Sequence, residues 1–251
     1  MLKEERQQHL LNALKRDGKV VAAEISIALN VSEDTIRRDL NELADAGLLR
    51  RVHGGAVAKA QTEAAYMARS QQQVDAKFAI AEAAARLAQD GQVIWLDCGT
   101  TTTRLAQLLP QDLRATVITN SPPAMVALAE HPHLEVIGLG GTLNKGTMAI
   151  VGAAAVSAAA QFRADICFLG VNGLHPTAGV TDFSYEEAQI KRLMIENSAA
   201  VIALASADKL GTVAPFVLAP IHALTHLVTE QSASDDVVQP FIEGGVDVIR
   251  A

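Results

Sequence analysis

The sequence predicts an α/β chain in two parts: a small N-terminal unit of three helices and a hairpin, then a larger unit built on a parallel sheet. Three observations carry this. Apolar residues recur at helical spacing three times before residue 46, and two short strands around Gly54-Gly55 follow. The stretch "KAQTEAAYMARSQQQV" is then polar and rich in Ala and Gln, with no core face. Beyond it, apolar runs of strand length alternate with helical patterns, as in a parallel sheet covered on both faces. The predicted boundaries are residues 1–58, a linker over 59–75, and 76–251.

In the first part, "EERQQHLLNALKRDGK" carries Leu10, Leu11 and Leu14 at helical spacing and stops at Asp17-Gly18. A second helix fits "AAEISIALN", with Ile25, Ala28 and Leu29 on one face. Asn30-Val31 makes a brief turn, and Ser32 is placed to cap a third helix. There Ile36, Leu40 and Leu43 recur at i, i+4 and i+7 as the buried stripe, and Gly47 is placed to end the helix. "LLRRVHGGAVAK" reads as a hairpin. Three helices and a hairpin is the order of a winged helix-turn-helix, whose helix-turn-helix segment spans about residues 20–39.

That order gives meaning to Arg37-Arg38. On an isolated helix, two adjacent arginines are ordinary solvated charge. In a helix-turn-helix the third helix enters the major groove, with its N-terminal residues nearest the bases. With Ile36 and Leu40 inward, Asp34, Arg38 and Asn41 face outward, flanked by Thr35 and Arg37. Arginine bonds guanine bidentately or clamps a phosphate, and Ser32 or Thr35 can reach phosphate at the helix start. Arg50, Arg51 and His53 on the hairpin add a second positive contact along the DNA backbone.

Charge and composition agree. Residues 1–60 hold ten Lys/Arg and nine Asp/Glu, whereas the remainder holds eleven against nineteen, so the net charge of −7 lies in the second part. DNA contact is therefore confined to a focused face of the first unit, which argues against a non-specific architectural DNA protein. The opening "MLKEERQQHL" is charged from the outset, which predicts no secretory signal. No apolar run approaches the roughly 18 residues of a membrane span. Two cysteines, Cys98 and Cys167, fit a reducing compartment, so the expected location is the cytoplasm.

The second part reads as helix "AKFAIAEAAARLAQDG", strand "QVIWLDCG", helix "TRLAQLLP", strand "ATVITNS", helix "PAMVALAEH" and strand "LEVIGLGG". Further strands fit "ADICFLGVNG", "AAVIALAS" and "HALTHLVTE". In "WLDCGTTTTRLAQLL", Gly99 permits close backbone approach, and Thr100, Thr101 and Thr102 offer hydroxyls and N–H groups at a helix N-terminus, an anion site. Asn120-Ser121 and Gly140-Gly141 end the next two strands, and ligands of open α/β sheets gather outside the carboxyl ends of strands. Several polar or glycine-rich strand ends together point to a phosphate cradle rather than a single capped helix. Cys98 reads as a small packed side chain. His131 and His133 lack partners at metal spacing and read as surface loop, so neither metal nor cofactor is expected.

"VSEDTIRRDLNELADAGLLRRVHGGA" resembles the N-terminal signature of the DeoR family of bacterial transcriptional regulators. "DCGTTTT", "TNS", "GGTLNKG", "FLGVNG" and "EEAQIKRLMIENS" resemble that family's effector-binding domain, so the likeness runs along nearly the whole chain. It implies a cytoplasmic, sugar-responsive regulator, usually a repressor, acting as a homodimer or homotetramer. It also implies a C-terminal domain with a ribose-5-phosphate isomerase or CoA-transferase-like fold. The expected partners are double-stranded operator DNA and a phosphorylated sugar. Asn172 joins the crevice; Lys191 or Lys209 would pair with phosphate; Asp97 and a glutamate, Glu186 on the helix it shares with Glu187, would hold sugar hydroxyls. One departure stands out: where relatives carry Ser-Lys-Phe, this chain has Ser206-Ala207-Asp208-Lys209-Leu210.

The alternative is a sugar-phosphate isomerase on the same scaffold. It needs a general base near the phosphate loop, a part for Glu186 or Asp208. No compact acid–base constellation stands out, and the DNA-binding unit has no use in an isomerase. No catalytic residue is therefore assigned.

Overall fold

The computed structural model describes residues 2–17, 19–46, 48–52, 54–58 and 66–251. The chain divides into two compact units, Met1–Gln61 with Gly211–Val213 and Thr62–Leu210 with Ala214–Ala251.

The first unit runs α1 (Lys3–Asp17), β1 (Lys19–Val21), α2 (Ala22–Leu29), α3 (Glu33–Asp45), β2 (Leu49–Val52) and β3 (Gly55–Ala58). Leu10, Leu14, Ile36, Leu40 and Leu43 are buried in one cluster, as their spacing requires. In α2 the inward stripe is Ala22, Ile25 and Leu29. Ala28 falls outside that stripe and is exposed, contrary to expectation. Asn30 turns left-handed at φ 52 and ends the helix. Ser32 caps α3, its Oγ accepting from the Thr35 N–H at 3.2 Å.

The hairpin is part of a three-stranded antiparallel sheet, β1-β3-β2. β1 was not foreseen, because three residues are too few to show a period. Its close approach explains the paired glycines: a Cβ on Gly55 would lie 2.0 Å from the Val20 carbonyl oxygen, while Gly54 makes the turn at φ 78. Between α1 and α3, the Arg6 guanidinium grips the buried Asp39 carboxylate with two hydrogen bonds, Nε to Oδ2 and a second of 3.0 Å to Oδ1.

The second unit opens with α4 (Tyr66–Ser70), α5 (Val74–Ala85), β4 (Val93–Leu96), α6 (Thr100–Leu108), β5 (Thr116–Thr119), α7 (Pro122–Leu128) and β6 (Glu135–Gly138). It continues with β7 (Thr142–Asn144), β8 (Ala149–Val151), α8 (Ala153–Ala159), β9 (Ala164–Gly170), β10 (Gly173–His175), β11 (Gly179–Asp182) and α9 (Tyr185–Glu196). It closes with β12 (Ser198–Leu204), β13 (Phe216–Ala219), β14 (His226–Thr229), α10 (Asp235–Glu243) and β15 (Asp247–Arg250). Seven strands form a parallel sheet in the order β15-β14-β12-β9-β4-β5-β6.

Alternate residues feed opposite cores. Trp95, Ile118, Cys167, Leu169 and Leu227 face one layer; Ile94, Leu96, Val117, Phe168 and Val228 face the other. The register places Leu96 opposite Thr119 and Phe168, Thr119 opposite Gly138, and Leu204 opposite Gly170. The carboxyl ends of five neighbouring strands therefore lie in one row. Within the same unit, β7-β8 and β10-β11-β13 form small antiparallel sheets. Their strands of three or four residues also escaped the sequence reading.

Candidate functional site

On α3, Asp34, Arg37, Arg38 and Asn41 are exposed. Arg37 is committed to its own helix, with NH2 2.8 Å from Glu33 Oε1 and NH1 3.9 Å from Asp34. Arg38 has no ion pair among the described residues. The Ser32 and Thr35 hydroxyls bond each other at 2.8 Å. Arg51 reaches from β2 to α3: its Nε donates to Asn41 Oδ1 at 3.0 Å and its NH1 to the Gly55 carbonyl. An arginine read as a backbone contact thus also fixes the wing turn and the Asn41 amide. The Arg50 side chain and His53 lie outside the described residues.

In the second unit, the strand-end row brings together most of the residues singled out there. Asp97, just past β4, is fully buried. Its Oδ2 accepts from the Gly170 N–H at 3.0 Å and lies 3.1 Å from Lys191 Nζ; its buried Oδ1 has no partner among the described residues. Lys191, on α9, also lies 2.8 Å from Asp182 Oδ2 and donates to the Gly170 carbonyl at 2.9 Å. Paired within the protein in this way, Lys191 holds two carboxylates in place.

The electrostatics follow from burial and this pairing. Burial raises the Asp97 pKa, against the pull of Lys191, to about 6. At Asp182 burial pushes upward too, but Lys191, the Ser184 N–H and the Asn172 side chain together bring the carboxyl below its usual range. At Lys191 burial lowers the pKa, yet Asp182 and Asp97 outweigh it and hold the ammonium protonated. Glu187 is buried and accepts from the Cys98 thiol at 3.4 Å. Burial and the neighbouring carboxylates push that thiol up, away from the reactive thiolate.

Glu186, the expected hydroxyl-binding glutamate, is exposed. One residue along a helix is 100°, and that step separates it from Glu187, which faces the cluster. Glu187 and Lys191 of the same helix are buried.

Beside Asp97, Gly99 adopts φ 149, a backbone that side chains rarely permit, and opens α6. Thr101 and Thr102 are buried, Thr100 is half-buried, and the Gly99 carbonyl accepts from the Thr102 and Thr103 hydroxyls at 3.1 and 2.7 Å. Asn120 is buried after β5; its Nδ2 donates to the Ile150 carbonyl at 3.3 Å, and its Oδ1 has no partner among the described residues. Ser121 caps α7. Gly140 and Gly141 follow β6 and are exposed.

Three cations gather near this edge, two of them missed from the sequence. Lys209 sits in a short 3-10 turn after β12. Burial first, then the charges of Arg69, Lys77 and Lys191, lower its pKa to about 8 against the help of Asp208. Lys77, buried on α5, donates to the Arg69 carbonyl and is lowered by burial and by Arg69. Arg69 lies in the stretch read as linker, where only polarity was visible. A cleft of about 130 Å³ runs between α4 with the start of α5 and the first turns of α6, and Tyr66, Ser70, Lys77, Thr100, Thr103 and Arg104 help line it.

Comparison with known proteins decides the family. The DeoR-like helix-turn-helix domain matches residues 6–62 and the DeoR C terminal sensor domain matches residues 72–231. The chain belongs to the DeoR family. This DeoR-family regulator is 36% identical to the HTH-type transcriptional regulator GlpR of Haloferax volcanii over 99% of this chain and 98% of that one. It is 30% identical to the Glycerol-3-phosphate regulon repressor of Escherichia coli over 95% of each chain. Its likeness to ribose 5-phosphate isomerase A from Methanocaldococcus jannaschii is slight, with a TM-score of 0.41 at 19% identity over 55% of each chain. The relatives are DNA-binding regulators, and the isomerase alternative is not favoured. Among the described residues no helix is long and apolar enough to cross a membrane.

Proposed function

We propose that this regulator represses a carbohydrate-utilisation operon and that a phosphorylated sugar or polyol controls its hold on DNA. Residues 1–58 form the DNA-binding module, joined through 59–75 to the effector module, and a homodimer or homotetramer presents paired α3 helices to operator half-sites. Arg38 and Asn41 face base edges, with Ser32, Thr35 and the wing on the phosphates.

The observation that carries the effector reading is the arrangement around α6. Backbone N–H groups at its start, buried threonines and the cations Arg69, Lys77 and Lys209 stand near acceptors with unfilled capacity, Asp97 Oδ1 and Asn120 Oδ1. The first set suits a phosphate, and the second suits hydroxyl donors on the same ligand. The relatives named as glycerol-3-phosphate regulon repressors make glycerol 3-phosphate the first compound to try.

The test is a thermal-shift series of the full-length protein against glycerol 3-phosphate, hexose and pentose phosphates, and their unphosphorylated parents. A ligand at 100 times its Kd stabilises by about 2.7 kcal/mol through mass action. Stabilisation by phosphorylated members alone is expected; equal stabilisation by the parents would count against a phosphate cradle.

A further inference from the structure

α4 is five residues long and buries none of its side chains. Isolated helices shorter than about 12 residues are marginal in water, so neither propensity nor a packed core maintains this one. Polar tethers do. The Tyr66 N–H donates to the Gly146 carbonyl at 2.7 Å, in the loop between β7 and β8. The Tyr66 hydroxyl donates to Thr103 Oγ1 at 3.0 Å, and Thr103 in turn bonds the Gly99 carbonyl. The Arg69 carbonyl accepts from Lys77. One residue thus stitches together two of the motif loops, "GGTLNKG" and "DCGTTTT".

Segments held by few solvent-accessible polar contacts open at low free energy, and switching elements come from that class. Among the described residues α4 is also the first element of the second unit, on the side from which the chain leaves for the DNA-binding unit. The cleft between α4 and the first turns of α6 is lined by Tyr66 and Ser70 on one side and Thr100, Thr103 and Arg104 on the other, with Lys77 beside them, so an anion in it touches both helices.

We propose that α4 is the output element of the sensor: an anion bound in the cleft between α4 and the start of α6, against Lys77 and Arg104, holds α4 onto α6, with Tyr66 as the latch, and so sets the tether of the DNA-binding unit. This rests on the anion-site reading above and adds where its signal leaves the domain. A ligand shifts such an equilibrium only through differential contact with its two states, and a contact that spans Tyr66 and Ser70 on α4 and Arg104 on α6 exists only while the two helices are together.

The test is amide hydrogen exchange on the full-length protein with and without saturating inorganic phosphate, for wild type and Tyr66→Phe, together with the thermal shift of each. In wild type, phosphate is expected to raise the melting temperature and slow exchange at residues 66–72 by about tenfold or more. In Tyr66→Phe, which loses only the latch hydroxyl, the thermal shift persists while the slowing at 66–72 shrinks several-fold. Stabilisation by phosphate with exchange at 66–72 unaltered in wild type would overturn the output role while leaving the anion site standing. Protection in Tyr66→Phe equal to wild type would overturn the latch. No stabilisation and no protection would remove the anion site and this proposal with it.

Discussion

The two units place their charges in opposite ways. On α3 the arginines and carboxylates of the outward face sit in water, and their mutual pairs are short helical ones at i, i+3 and i+4. At the edge of the large sheet, Asp97, Asp182, Glu187 and Lys191 are withdrawn from solvent and locked by backbone and one another. On the function proposed above, the difference follows from the two partners. A DNA backbone is a long polyanion met by exposed, adjustable cations that exchange counterions for phosphate. A small ligand must be caught by groups already aligned, because little binding energy is available to align them. Arg6–Asp39 marks the limit of the contrast: a buried pair occurs in the first unit too, but beneath α3, where it fixes the helix rather than the contact.

The largest expected effect lies in the buried set. Lys191→Met should leave Asp97 and Asp182 without their counter-charge and destabilise the second unit by about 3–5 kcal/mol, measured by urea unfolding. A loss under about 1 kcal/mol would mean that the two carboxylates are held by something else.

On the exposed face the effect should appear in binding and not in folding. Arg38→Ala should weaken operator affinity by about 1–3 kcal/mol at physiological salt with unchanged melting temperature, followed by fluorescence anisotropy. Unchanged affinity would remove Arg38 from the contact. Arg37→Ala, whose guanidinium already answers Glu33, should lose less than Arg38→Ala in the same assay; the reverse order would show that the helical ion pair breaks on DNA.

A smaller effect should come from pH. With its pKa lowered to about 8, Lys209 is protonated below that pH and neutral above it, so it attracts an anion below and not above. Sulfate, whose own charge is constant over this range, should bind several-fold more weakly at pH 9 than at pH 7, and Lys209→Met should flatten the profile. A wild-type affinity unchanged between the two would exclude Lys209 from the site.

The same contrast governs what the sequence could reveal. The α3 stripe, the Ser32 cap, the paired glycines of the wing and the alternating strands of the large sheet are all written in local periodicity, and each element stands where that period puts it. The three-residue strands β1, β7, β8 and β10 carry no period to read. Asp97, Lys191, the Gly99 turn and the strand-end loops were legible because strand topology assigns them to one edge. Glu187 lost to Glu186 because the two differ only in helical phase, and the buried stripe of α9 is interrupted by its charged residues. Arg69 and Lys77 stayed hidden for another reason. A polar stretch looks the same whether it hangs in solvent or packs by hydrogen bonds alone, and α4 does the latter.

The central claim is that an anion held at the start of α6 governs DNA binding by a separate unit. It is tested most directly by Thr101→Glu, which puts a carboxylate and extra bulk into the buried first turn of α6. The measurement is anisotropy of a labelled duplex, selected from a random library by the wild-type protein, titrated with the phosphorylated compound that gives the largest thermal shift. The account predicts wild-type affinity for the duplex and no response to the compound, in a protein that still melts cooperatively. A folded Thr101→Glu protein that responds at the wild-type ligand concentration, or that no longer binds the duplex, would contradict it.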